Sequence, residues 1–125
     1  MILDTNALSA FFEGDPAIGI LLRRTFRLFL PVVVLGEYRF GLLRSKKRQT
    51  IEPALDALEA VATVLAIETV TVRPYAETRD HLKRAGTPIP SNDLWIAALA
   101  IQHGLPIVSR DAHFDRVPTV TRVTW

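Results

Sequence analysis

Short apolar segments alternate along this chain with longer segments of helical composition, and that alternation limits its fold more than any other feature. Ile2-Leu3, Arg27 to Leu30, Pro106 to Ser109 and Val120 to Val123 have the length and the bounding turn residues of strands. Helix signals fill the intervals. Asp4-Thr5-Asn6 is a capping cluster ahead of a helix over Ala7 to Phe12, and Asp15 with Pro16 at the first helical position starts a second that runs to about Arg24. Pro31 opens a helix through Arg44, Ser45 to Arg48 is a polar connection, and the Ala- and Leu-rich stretch from Thr50 to Leu65 reads as one long helix with an early Pro53. Ile67 to Val72 is open between strand and loop. Arg73 to Arg84 reads as an exposed helix closed by Gly86, and Ser91 as the cap of a helix over Asn92 to His103 closed by Gly104. Arg110 to Asp115 reads as a turn or a single helical turn. Strands that alternate with helices in this way imply crossover units, hence an α/β fold whose parallel sheet carries helices on both faces.

With 125 residues the chain has the size of one domain, expected over 1–125, and such a domain buries a core without disulfides or structural metal. It has no cysteine, which excludes thiolate chemistry and removes the soft ligands of zinc; with only His81, His103 and His113, each read as a surface residue, a zinc site is not expected. No apolar run approaches the ~20 residues of a membrane span, and no signal-like segment precedes Ile2-Leu3, so a cytoplasmic protein is expected. The 49% hydrophobic content and mean hydropathy of +0.21 suggest that another chain covers part of the surface. Fifteen Lys and Arg stand against thirteen Asp and Glu. Were four of the acids gathered in one site, the remaining surface would be basic enough to suit a polyanion.

Four acids do sit inside or beside strongly apolar segments: Asp4, Glu37, Asp93 and Asp111. Buried carboxylates repel one another and resist desolvation, so they either take up protons or share a cation. Asp4 alone reads most simply as a helix N-cap. Its position directly after a strand adds a second reading, because ligands of open parallel sheets bind beyond the carboxyl ends of the strands. Asp111 stands in the same relation to Ile107-Val108-Ser109. Glu37 and Arg39 are about 200° apart around a helix, so they point nearly opposite ways, and Gly41 one turn from Glu37 leaves room for a ligand. Asp93 opens a helix that is apolar nearly all round; as a first-turn acid it complements the helix dipole, which also favours the ionised form a metal needs. Thr5, Asn6 and Ser109 flank these acids as neutral donors able to orient carboxylates or water, and Asp115 is a fifth, more peripheral acid.

Hard oxygen ligands without cysteine or clustered histidine select Mg²⁺ or Mn²⁺. Such centres hydrolyse phosphodiesters by polarising the phosphoryl oxygen and activating water. Neither a serine-histidine-aspartate arrangement nor a P-loop nor a GxGxxG motif is present.

Four motifs in order resemble those of PIN-domain nucleases: Ile-Leu-Asp-Thr-Asn at 2–6, Gly-Glu-Tyr-Arg-Phe-Gly at 36–41, Asn-Asp-Leu-Trp-Ile-Ala-Ala at 92–98 and His-Gly-Leu-Pro-Ile-Val-Ser-Arg-Asp at 103–111. The compact length is most similar to VapC-type toxins of VapBC toxin-antitoxin systems. The resemblance implies a PIN-like (Rossmann-like) sheet, a Mg²⁺ or Mn²⁺ site and hydrolysis of RNA. It also implies a homodimer and inhibition by a small VapB-type antitoxin. Carried over, the catalytic and metal-binding acids are Asp4, Glu37, Asp93 and Asp111, supported by Thr5, Asn6 and Ser109, with Asp115 supplementing Asp111. Arg44, Lys46, Lys47, Arg48 and Arg110 are candidates for RNA backbone contact, although a solvated loop explains 46–48 equally well. Apolar surface on the first helices, including Phe11 and Phe12, would suit an antitoxin segment, or ordinary core packing. A housekeeping RNA-processing nuclease and a catalytically silent RNA-binding module remain alternatives at this level.

Overall fold

A computed structural model describes residues 1–125. Five short strands, β1 (Ile2–Leu3), β2 (Phe29–Pro31), β3 (Thr63–Leu65), β4 (Ile107–Val108) and β5 (Arg122–Val123), form one sheet in the order β3-β2-β1-β4-β5. Every neighbouring pair is parallel. Helices α1 (Thr5–Phe12), α2 (Pro16–Arg23), α3 (Val32–Leu42), α4 (Arg48–Val61), α5 (Val72–Arg84) and α6 (Ser91–His103) make the crossovers and cover both faces of the sheet. This is the architecture expected from the strand-helix alternation.

The strands are short but fully buried at the centre. Ile2, Leu3, Leu30, Ile107 and Val108 have no exposed surface, and Leu8, Ile96, Leu99 and Phe114 close over them from the helices and the C-terminal loop. The strand order β2-β1-β4 at the middle of the sheet creates the crevice. The chain leaves β1 toward β2 on one side and returns to β4 on the other, so space opens beyond the carboxyl ends of β1 and β4.

Several boundaries differ from the sequence reading. The long helix expected to Leu65 ends at Val61, where Ala62 takes an extended conformation (ψ 163°), and Thr63–Leu65 becomes the edge strand β3. Two β-branched residues in a row, Thr63 and Val64, mark the change; pairing with β2 wins over the Ala- and Leu-rich helical trend. Arg48 already belongs to α4, and Pro53 is tolerated near its start because Gln49, whose carbonyl it leaves unpaired, is an exposed residue. Pro31 ends β2 and caps α3 from outside. Glu68 and Thr71 form a reciprocal capping box around a 3-10 turn at Thr69–Thr71, which settles the open segment as neither strand nor plain loop. Pro90, not Ser91, precedes α6, so Ser91 and Asn92 are helical and their side chains are not used as caps. Gly104 adopts φ 63°, the left-handed conformation that ends α6 and turns the chain into β4.

Phe114 is fully buried and sits in a 3-10 turn (Ala112–Arg116) directly after β4, where it anchors the loop that carries Asp111 and His113. Phe114→Ala is expected to cost about 3–5 kcal/mol of unfolding free energy, the range for deleting a buried phenylalanine. Urea denaturation checks this; a loss under about 1 kcal/mol would show that the loop is held by other contacts.

Candidate metal centre

The acids converge because the ends of β1 and β4, the first turn of α6 and the middle of α3 meet at the same crevice. Asp4 follows β1 and caps α1, its Oδ1 accepting the Ala7 backbone N–H at 3.0 Å. Its Oδ2 accepts from the Ser109 hydroxyl at 2.6 Å and from the Asn6 amide at 3.0 Å. One carboxylate oxygen thus serves as the N-cap of α1, and the other faces neutral donors at the ends of β1 and β4. Ser109, fully buried at the end of β4, also accepts the Asp111 backbone N–H at 2.8 Å, and the Asn6 carbonyl oxygen accepts the Arg110 backbone N–H at 3.0 Å. The ends of β1 and β4 are thus stitched together by three short polar side chains.

Glu37 enters from α3. Thr5 donates to its Oε2 at 2.7 Å and Asn92 to its Oε1 at 2.7 Å, so both oxygens are oriented by neutral donors from α1 and α6. Arg39 points instead toward α4 and pairs with Asp56 at 2.8 Å and Glu59 at 2.6 Å, as their opposed directions on the helix require. Asp93, in the first turn of α6, faces Asp111. His113 Nδ1 lies between them, 3.0 Å from Asp93 Oδ2 and 3.1 Å from Asp111 Oδ2.

Asp93, Asp111 and His113 each present one donor atom within 4.8 Å of the others, a set able to hold a cation. With a proton on Nδ1 the histidine bridges the two carboxylates; without it the same atom is a third donor. The reading of His113 as a surface residue is corrected: it is half-buried and part of the cluster. Its place two residues after Asp111 was the available signal, since the 3-10 turn brings residues i and i+2 back to the crevice, where Asp111 Oδ1 also accepts the His113 backbone N–H at 2.9 Å.

The electrostatics of this group are unfavourable as it stands. Burial pushes the Asp4 carboxyl up from 3.8 to about 6; hydrogen bonds from Ser109 and Ala7 oppose this and the nearby Asp93 adds to it. Asp93 is also raised, first by burial and then by the charges of Asp111 and Glu37, with His113 acting the other way. Four carboxylates and too little compensating charge make a place where a divalent ion relieves repulsion.

A family comparison places this geometry. The model of the PIN domain matches residues 1–120. The chain belongs to the PIN-domain family. Relatives include Ribonuclease VapC5 of Mycobacterium tuberculosis, 33% identical over 90% of this chain and 84% of that protein, and Ribonuclease VapC11 of the same species, 30% identical over 98% and 95%. Solved structures similar to this PIN domain include VapBC2 from Rickettsia felis bound to a DNA fragment from their promoter, with a TM-score of 0.88, 25% identity and coverage of 99% and 97% of the two chains. VapBC-5 from Mycobacterium tuberculosis superposes with a TM-score of 0.78 at 29% identity, again covering 99% and 97%.

Around the acids of this PIN domain, the remaining predicted residues divide into two groups. Asp115 is drawn away from Asp111 by Arg122, which donates to both its oxygens at 2.8 Å and holds its carboxyl below the ordinary range. Arg110 is likewise occupied, lying over the Trp125 ring at 4.4 Å and pairing with Asp15 at 3.0 Å. Arg48 pairs with Glu52 on its own helix. Arg44, Lys46 and Lys47 are exposed and make no ion pair. Phe12 is half-buried against Tyr38, with ring centroids 5.6 Å apart, whereas Phe11 keeps 37% of its surface exposed. No helix of the PIN domain is long and apolar enough to cross a membrane.

Because Asp4 holds its proton up to about pH 6 in the folded chain but only to about 3.8 when unfolded, the folded state binds more protons between those values. Stability of the metal-free protein should therefore fall as pH rises from about 4 to 6, by on the order of 2–3 kcal/mol, and stay low above that. Thermal melts in chelator at about pH 5 and about pH 7.5 read this directly. Asp4→Asn keeps an N-cap and should flatten the dependence; an equally steep profile in that variant would assign the titration to another group.

Proposed function

We propose that this PIN domain is a Mg²⁺- or Mn²⁺-dependent endoribonuclease, the toxin of a type II toxin-antitoxin pair, hydrolysing RNA phosphodiesters at the crevice beyond β1 and β4. The observation that carries this reading is the convergence of Asp4, Glu37, Asp93 and Asp111 on one site, two of them forming a metal-competent group with His113, in a chain whose relatives are named ribonucleases. Asp93, Asp111 and His113 would hold the ion, and Asp4 and Glu37 complete the acidic wall. A bound divalent ion supplies Lewis acidity toward the phosphodiester and activates water for attack. Imidazole nitrogen beside carboxylate oxygen favours Mn²⁺ over the harder Mg²⁺.

The chain's own residues do the rest. Thr5 and Asn92 fix both oxygens of Glu37, so this carboxylate is oriented before substrate arrives. Asn6 and Ser109 hold Asp4 in place. Arg44, Lys46 and Lys47 are unpaired cations that offset the repulsion between an acidic site and a polyanionic substrate. A VapB-type antitoxin is inferred from the likeness to VapBC structures and a homodimer from the resemblance to VapC-type toxins, and the exposure of Phe40 (76%), Leu43 (56%) and Val61 (82%), apolar side chains that a second chain would cover, supports a partner chain.

Asp93→Asn is expected to remove stoichiometric Mn²⁺ binding in calorimetry and to abolish RNA cleavage, while raising the melting temperature of the metal-free protein because a repelled, buried charge is gone. His113→Gln is expected to weaken Mn²⁺ binding about 10–100-fold. Full cleavage by Asp93→Asn would refute the assignment. In the absence of an antitoxin, sedimentation equilibrium should give twice the 14.0 kDa chain mass, and a monomer at micromolar concentration would rule out the dimer.

A further inference from the structure

A cavity of about 320 Å³ lies between α1, α3 and the start of α4, and the chemistry assigned above leaves it unused. Thr5 and Glu37 stand in its wall, so it adjoins the acid cluster through the Thr5–Glu37 hydrogen bond. Phe12 and Tyr38 supply two aromatic rings to the lining, tilted by 33° to each other. The hydroxyls of Ser9 and Tyr38, the carboxylate of Glu13 and the ammonium of Lys47 also line it, and neither hydroxyl nor the ammonium has a hydrogen-bond or ion-pair partner within the chain, so Lys47 is the one cation set against Glu13 and Glu37 there. At Gly41 the wall is low: a Cβ there would meet nothing within 4 Å.

We propose that this cavity is a nucleobase subsite, seating one unpaired base of the RNA next to the phosphodiester that faces the acid cluster. The proposal rests on the ribonuclease reading and adds to it the feature that would confer base preference. Single-stranded RNA is recognised by bases splayed onto aromatic side chains and hydrogen-bonded along their edges. Here rings, free hydroxyls and one free cation occur together within a hydrogen bond of the acids. The volume stands at the small end of ligand sites, enough for a single planar group. An aliphatic side chain would leave the Ser9, Tyr38 and Lys47 groups without partners; a base with its polar edge and attached phosphate satisfies them.

Gly41→Leu tests this, because the new side chain enters open space from a helix with ordinary backbone angles and should leave the melting temperature equal or higher. Gly41→Ala, which adds one methyl, is the control. Binding is read by fluorescence anisotropy in an Asp93→Asn background, which keeps the RNA intact, with a short single-stranded RNA and versions of it carrying one abasic position at each site in turn. One abasic position is expected to weaken binding about ten-fold. Gly41→Leu should erase that difference and Gly41→Ala should retain most of it. The subsite is overturned if no position is sensitive, or if the sensitivity survives Gly41→Leu. It is also overturned if Gly41→Leu leaves RNA binding unchanged and instead weakens binding of an antitoxin peptide. Cleavage by the protein with native Asp93 is scored separately. Cleavage without any abasic penalty removes the subsite alone, and an abasic penalty without cleavage removes the ribonuclease reading alone.

Discussion

Asp4 meets Ser109 at the point where the sheet changes direction, and the rest of the site is arranged around that contact. The hydroxyl-carboxylate hydrogen bond, 2.6 Å long and buried, joins residues 105 positions apart in sequence and ties the end of β1 to the end of β4. Because β1 lies at the centre of the sheet, with β2 on one side and β4 on the other, no other pair of strand ends could bring an early acid to a late one across a crevice. Ser109 then passes the constraint along by accepting the Asp111 backbone N–H, and Phe114 holds the same loop down from the core side. Position of the late acids thus depends on a polar contact at one end of the turn and an apolar one at the other.

The same contact has an electrostatic consequence. Two carboxylates, Asp4 and Asp93, are raised in pKa mainly because burial penalises their charged forms, and the charge of Asp93 adds to the difficulty at Asp4. Hydrogen bonds from Ser109 and from the Ala7 backbone offset only part of this at Asp4. The fold therefore tolerates a locally unstable arrangement, sustained by the fully apolar strands beneath it, and the resulting field is what would draw a divalent ion to the crevice. Stability and metal affinity are opposed at these positions: a neutral side chain there should help the chain stay folded and hinder it from holding an ion.

Much of this was legible from residue types and spacing, and what escaped did so for identifiable reasons. Strand-helix alternation was sufficient for the parallel sheet with helices on both faces. The strong helix signals, Asp15-Pro16 and Gly104, fell where expected because their chemistry is local. β3 was missed because its residues continue a helical composition, and only pairing with β2, a contact across some 34 residues of sequence, makes Thr63–Leu65 a strand. At the site, each of the four acids could be picked out from its apolar setting, and the structure brings all four to one crevice. His113 has no apolar context to mark it, and its spacing two residues after Asp111 is the one signal; the 3-10 turn then folds it back between Asp93 and Asp111. Asp115 shows the reverse. Proximity in sequence to Asp111 suggested a shared site, but Arg122 from β5, the neighbouring strand, captures it.

Around the crevice the cations divide into those the fold pairs and those it leaves free. Arg39, Arg48, Arg110 and Arg122 are each engaged by an acid on the fold's own surface, and those pairs neutralise charge in place without building a field. Arg44, Lys46 and Lys47 are not so engaged, and all three fall between the end of α3 and the start of α4, about two to three helical turns of chain from Glu37. These three unpaired cations thus stand on the side of the acidic crevice where α3 ends, with Lys47 in the lining of the cavity that holds Phe12 and Tyr38. A phosphate backbone attracted there would run from the free cations toward the acids, with its bases turned to the aromatic wall.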